Sequence, residues 1–342
     1  MIRFGPAGIP LSCKGRTLED GIEDVHNLGL NALEVQLVRV NMIERYPNEE
    51  EVGLTPRTVP GELVLALKRE GEPEQLVHDP DVTIDRTDVL QILIGSIAKD
   101  YEELEYLGQL ARELDVEMSL HTPYYMDLAG DGDLCQKSVN SIHWGGTIAH
   151  HLGATVVATH MGLYGDLSKE EALRRITRRV QDIAEWFMVH GFEPRLGLET
   201  SGRQEVFGSV EEVLQICEDT PGVQPVINLA HVHAREGGSL REPADFEDLL
   251  ERADKYGQGH LHTHFSGVEH EGGNELRYAP IKRGDLRFEP LVDCLLEGDY
   301  DITLISSSPL LEHDAMYMKV ILERVLGRRV TKLIKRRKEE VS

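Results

Sequence analysis

The sequence predicts an α/β fold, a (β/α)8 barrel, on three observations. Short aliphatic or β-branched runs alternate with longer amphipathic ones along the chain, eight such short runs can be counted, and five consecutive runs end on or next to a His or Glu. An open doubly wound sheet alternates in the same way, but its first turn carries closely spaced glycines for a dinucleotide. Here that turn reads "GPAGIPLS" and lacks the spacing.

In chain order the strand runs are "IRFGPAG", "ALEVQLV", "EMSLH", "TVVATH", "RLGLE", "PVINL", "HLHTHF" and "DITLI". Between them, "YEELEYLGQLARELD", "KEEALRRITRRVQDIAEWFMVHG", "SVEEVLQICED", "PADFEDLLERADKYG" and "DAMYMKVILERVLG" repeat apolar residues with the helical period. Ser168 and Ser209 each precede a Glu-rich first turn, the pattern of a capping box. Residues 42–86 break the rhythm. They are too long, and too rich in Pro and charge, for an ordinary βα loop, and are expected to form an insertion over the catalytic face with a hairpin of its own. From Arg324 onward the chain carries eight Lys or Arg, the expected end of a last helix. The expected organisation is one TIM-barrel domain over 1–326 and a basic C-terminal tail over 327–342.

With 342 residues, 40% of them hydrophobic, the chain is long enough to bury a large core. No run is apolar enough to cross a bilayer as a helix, and "MIRFGPAGIPLSC" lacks the pattern of a signal peptide, so a cytoplasmic protein with no membrane partner is expected. The four cysteines are scattered, without metal or disulfide spacing. A net charge of −24 argues against nonspecific coating of nucleic acid, while a local basic cleft remains compatible with it.

The candidate site follows from the barrel, whose functional groups gather where strands end. The third run ends in His121, the fourth in His160 and the fifth in Glu199; His231 and His233 follow the sixth, and the seventh ends in His264. Any one of these is more often a satisfied core or surface residue than a ligand. Their shared position favours a metal centre, because imidazole and carboxylate suit zinc and other first-row divalent ions. His260, His262 and His264 alternate along one strand and share a face. His264 is the expected ligand, with His260 and His262 lower in the barrel or supporting it, and His143, His150 and His151 fall on a helix.

"SLHTPYYMDLAG", "VVATHMG", "LGLETSG", "NLAHVHAR" and "HTHFSG" resemble the endonuclease IV family of abasic-site nucleases, within the wider xylose isomerase-like barrels. The resemblance runs from Met1 to "ISSSP", and the opening "FGPAGIPLS" is similar to archaeal members. It implies a zinc enzyme of DNA repair, a hydrolase cutting duplex DNA at abasic sites with one to three Zn2+, or with Mn2+ or another divalent ion. By position, His121, His160 and Glu199 match ligands of a first metal, with Glu199 also bridging and so catalytic. His264 matches a ligand of the second metal and His231 one of the third, while Tyr124 matches an aromatic inserted at the lesion and Arg39 a DNA-contacting arginine. Three departures stand beside these matches. Asn228 replaces an aspartate; Ser306, Ser307 and Ser308 stand where a glutamate is expected; and after the seventh strand only Asn274, Glu275 and Tyr278 face the place of an Asp-x-His pair. Fewer anionic ligands around a dication are costly, so the first site should survive, the second weaken, and the third depend on weaker candidates among Asn228, His262, His233 and Glu275.

Two other readings compete with metal-activated phosphodiester hydrolysis. One is a sugar isomerase or epimerase using one divalent ion, suited to an acidic surface. The other is a non-catalytic metal-binding homologue whose basic tail (Lys332, Lys335, Arg336, Arg337, Lys338) holds a partner.

Overall fold

The computed structural model describes residues 1–38, 41–71, 75–95 and 97–341, with the side chains beyond Arg337 outside the description. Arg39 lies outside the described residues.

The chain opens with β1 (Ile2–Pro6), α1 (Leu18–Asn27) and β2 (Ala32–Gln36). An inserted sheet follows, made of β3 (Asn41–Arg45), β4 (Leu63–Arg69), β5 (Gln75–Val77) and β6 (Val89–Ile94). The βα rhythm resumes with α2 (Tyr101–Glu113), β7 (Glu117–His121), α3 (Asp133–Leu152), β8 (Val156–Thr159), α4 (Lys169–Val189), β9 (Arg195–Glu199) and α5 (Val210–Asp219). Then come β10 (Val223–Asn228), α6 (Leu229–Arg235), α7 (Pro243–Gly257), β11 (Leu261–Phe265), β12 (Gly267–Glu271) and β13 (Asn274–Ala279). The chain ends with α8 (Phe288–Glu297), β14 (Ile302–Ser306) and α9 (Glu312–Val341).

All eight strands expected from the sequence pair in parallel, in the order β1-β14-β11-β10-β9-β8-β7-β2. The two ends meet through a parallel bridge between Ala7 and Glu34 and a hydrogen bond from the Asn31 amide to the Phe4 carbonyl. The (β/α)8 barrel is thereby all but closed. Its register pairs Gln36 with His121 and Asn228 with His264, which brings the ends of distant strands to one height.

Helices coat the barrel because their apolar stripes face it. Ile22 and Val25 of α1, Leu104 and Leu107 of α2, and Ile176, Val180 and Ile183 of α4 are all buried. Ser209 forms both halves of its capping box with Glu212, and the Ser168 side chain accepts the Glu171 N–H, so both expected helix starts are real. The basic tail is helical and continuous with α9, which runs from Glu312 to Val341.

The insertion is larger than the expected 42–86. Val89–Ile94 belongs to it as a central strand, paired antiparallel with both β3 and β4, because its apolar side chains share a separate small core with Val59, Val64, Leu67 and Ile84. Its described contacts run to the flank of the barrel. Arg57 pairs with Glu105 of α2, the Tyr101 hydroxyl donates to the Val64 carbonyl, and His78 packs on His143 and Trp186.

A second insertion follows β11. β12 and β13 form an antiparallel hairpin turned by Gly272 and Gly273, both with positive φ (58° and 75°), the conformation a tight hairpin turn demands. The hairpin folds back beside α6 at the mouth of the barrel and carries Glu275 and Tyr278 to the His231 ring.

Candidate active site

Three of the expected rim residues are held by a strand end or the residue just after it, while His231 and His233 lie within α6. His121 closes β7, Glu199 closes β9, and His160 follows β8; all are buried. Their donor atoms converge, with His121 Nε2 2.5 Å and His160 Nε2 3.5 Å from Glu199 Oε2. His121 Nδ1 lies 2.7 Å from the Thr122 carbonyl, which only accepts, so Nδ1 carries hydrogen there. That leaves Nε2 to face the carboxylate. A proton can join only one nitrogen–oxygen pair, whereas a divalent ion takes all three atoms at once. The donor set of two imidazoles and one carboxylate therefore fits a metal.

A second group lies deeper. Glu34, in the middle of β2, accepts from Gln36 Nε2 at 2.7 Å and faces His262 Nε2 at 3.1 Å and His264 Nε2 at 2.9 Å. These histidines and Glu34 also converge closely enough to hold an ion. His264 joins the two groups, since its Nδ1 lies 3.3 Å from Glu199 Oε1. Burial works against charge on this ring, yet Glu34 and Glu199 push its pKa up to about 10. His160 goes the other way, to about 4, because burial dominates over the single carboxylate beside it. Burial also opposes ionisation of Glu199, but the surrounding histidines hold it well below the usual carboxylate range.

Asn228 is the pivot between these groups and the mouth. Its Nδ2 donates to Glu199 Oε1 at 2.7 Å and to the Tyr278 hydroxyl oxygen at 2.8 Å, while its Oδ1 accepts the His231 N–H at 3.2 Å. The acceptor-only carboxylate fixes this orientation, so the amide presents hydrogens, not a ligand oxygen, to Glu199. As arranged, Asn228 is a hydrogen-bonding partner of Glu199 and not a ligand. His231 likewise turns Nδ1 to the Thr200 carbonyl (2.6 Å) and Nε2 to Glu275 (2.9 Å) and Tyr278 (2.7 Å). His233, on the other face of α6, groups with His270 and Asp285 away from the cavity; the Leu240 N–H donates to its Nδ1 at 3.2 Å. His260 sits at the opposite end of β11, beside Glu117 and Asp301.

The first group opens into a cavity of about 230 Å3 lined by Gln36, Tyr124, Tyr278 and Ser307 as well as the histidines. Tyr124 stands on the rim, 52% exposed, with its ring against His160 at 4.8 Å. Of the three serines, Ser307 reaches the cavity, while Ser308 accepts the Leu310 N–H and donates to Asp314 at the start of α9. Where serines stand at the end of β14 in place of the expected glutamate, a carboxylate lines the same cavity from the other side of the barrel closure, that of Glu34. Its signal in the sequence is slight, one acidic residue inside the apolar run "ALEV".

Residues 88–309 match the xylose isomerase-like TIM barrels, which is more than half of the chain. The chain belongs to this family. Among curated proteins it is similar to an uncharacterised protein of Methanocaldococcus jannaschii, 28% identical over 243 residues, covering 68% of this chain and 88% of the relative. Its fold is similar to a D-tagatose 3-epimerase-like protein (TM-score 0.61, 18% identity, 97% of this chain and 99% of the other). It is also similar to endonuclease IV from Thermus thermophilus (TM-score 0.59, 18% identity, 94% and 99%). At such identities the likeness shows the fold, and this xylose isomerase-like barrel has neighbours of both chemistries. What its own residues add is the buried His and Glu set that suits a divalent ion.

Proposed function

We propose that this protein is a metal-dependent phosphodiesterase of the endonuclease IV type, an enzyme that cuts duplex DNA at abasic sites. One observation carries the reading: His121, His160 and Glu199 converge on one point at the floor of an open cavity, at the strand ends. A divalent ion held there, with Zn2+ the best match to two imidazoles and a carboxylate, would supply an activated water for attack on phosphorus. The protein's own residues do the rest. Thr122 orients His121, Asn228 fixes the second oxygen of Glu199, and Glu34 orients His264 beside it. Tyr124, on the rim and edge-on to the His160 ring, is placed to meet a base or sugar entering the cavity. His264 is the residue through which a second ion would be held, shared between the Glu34 and Glu199 sides.

A second reading, isomerisation or epimerisation of a small sugar, is favoured by the modest cavity of about 230 Å3 and the acidic chain. One experiment separates them. A duplex oligonucleotide with a single abasic site and an intact control are incubated with the protein and Zn2+, Mn2+ or EDTA, while a panel of ketohexoses is followed for solvent deuterium uptake. Site-specific, EDTA-sensitive nicking is expected. Deuterium uptake with no nicking would replace the nuclease by the sugar enzyme.

A further inference from the structure

We propose that the C-terminal half of α9 is a dimerisation arm that pairs antiparallel with the same segment of a second copy of this chain, an interaction that does not depend on the chemistry at the barrel mouth. The first half of α9 packs on the barrel, with Ala315, Met318, Ile321 and Val325 buried. Past Val325 the helix leaves the body. From Leu326 to Arg337 every residue but Arg329 is exposed.

A helix surrounded by water needs no apolar face, yet this segment has one. Leu326, Val330, Leu333 and Ile334 recur at i, i+4, i+7 and i+8, which sets them on one side, and each is about half exposed. Arg328, Lys332 and Arg336 lie round the other side. A nucleic-acid duplex presents phosphates, so it would engage the cations and leave the stripe wet. A second copy presents the same stripe, which a two-fold axis makes self-complementary. Antiparallel pairing about the middle of the stripe sets Val330 on the partner's Leu333, and Leu326 on the aliphatic stem of the partner's Arg337.

Charge favours this register. Arg329 marks where α9 passes the end of α8, by its contacts with Asp293 at 2.6 Å and Glu297 at 3.0 Å. Glu297, Asp299 and Asp301 stand exposed at that end. The antiparallel register brings the partner's Arg336 and Arg337 beside Gly327 and Leu326, within a turn of Arg329 and so toward these acids. A parallel pair would set Arg336 beside Arg336 and Arg337 beside Arg337, away from any acid of the body. Residues 328–338 carry seven cations and no acid, on a chain of net charge −24. An arm of that sign is drawn to the acidic body of a second copy.

The test is the mass of the full chain in solution, by sedimentation or light scattering from about 1 to 100 µM, where contacts of this size are populated. A dimer is expected. Val330→Gln/Leu333→Gln keeps good helix formers on the arm and leaves the barrel core untouched. It should weaken dimerisation about 100-fold or more, with an unchanged far-UV circular dichroism spectrum. Oxidation reads the register, since the native cysteines are all buried. Leu326→Cys/Arg337→Cys should give a covalent dimer, whereas Leu326→Cys alone should not, because its two copies lie about 16 Å apart along the pair. A monomer at every concentration overturns the proposal; one that pellets with phosphatidylglycerol vesicles or shifts a duplex oligonucleotide hands the stripe to a lipid or nucleic-acid partner. An unchanged Kd in the glutamine variant overturns it too, as does a covalent dimer from Leu326→Cys alone.

Discussion

Asn228 shows how much one atom can decide. Its amide hydrogens lie against Glu199 Oε1 at 2.7 Å, where an aspartate would set two carboxylates in contact. Like charges that close cannot both ionise without a cation between them. Asn228→Asp is therefore expected to destabilise the metal-free protein by about 3 kcal/mol, the cost of an uncompensated buried charge, and to bind an additional equivalent of Zn2+ that restores the lost stability. Thermal melts with EDTA and with Zn2+, beside elemental analysis, check this. A variant as stable as wild type in EDTA would show that the amide hydrogens do not matter to Glu199. His264 is held by the same logic, one nitrogen toward each of two carboxylates, which is why a strand of alternating histidines can lie in a barrel core.

Among the elements, the two insertions have different tasks. The β12–β13 hairpin brings Tyr278 and Glu275 to the mouth, while the β3–β6 sheet docks on the flank through His78 against His143 and Trp186. Burial drives His78 down to about 4, with His190 adding to it, and drives His143 to about 3, with His78 adding to it. Both rings are neutral when folded, but an unfolded histidine titrates near 6.5. The unfolded chain thus binds more protons below that value. Stability from this contact is complete above about pH 6.5 and falls as pH drops toward 4. Urea midpoints measured between about pH 7 and pH 4.5 should fall, and fall less steeply in His143→Phe. Parallel slopes for the two proteins would remove the histidine contact as the cause. A boundary at residue 86 leaves out the insertion's central strand, because "VLQILI" reads the same whichever sheet buries it.

At the scale of the whole molecule, charge is the dominant feature. A net −24 on 342 residues repels itself, and screening by salt relieves that repulsion. The melting temperature should rise between about 0.05 M and 1 M NaCl; a flat response would mean that local ion pairs, such as Arg45 with Glu51 and Glu62, already balance the charge. The barrel rhythm, the eight strands and the rim histidines were legible because each is local: period 2 in strands, period 3.6 in helices, and a His or Glu at or next to the end of five consecutive strands. Glu34, the role of Asn228 and the Tyr278 contact were not, because they depend on which strands meet when the sheet closes. The amino-acid sequence alone determined the (β/α)8 class and the convergence of His121, His160 and Glu199. Only the tertiary structure decided what surrounds them, since Glu34 and His264 are separated by 230 residues and meet through barrel closure and register, which no periodicity records.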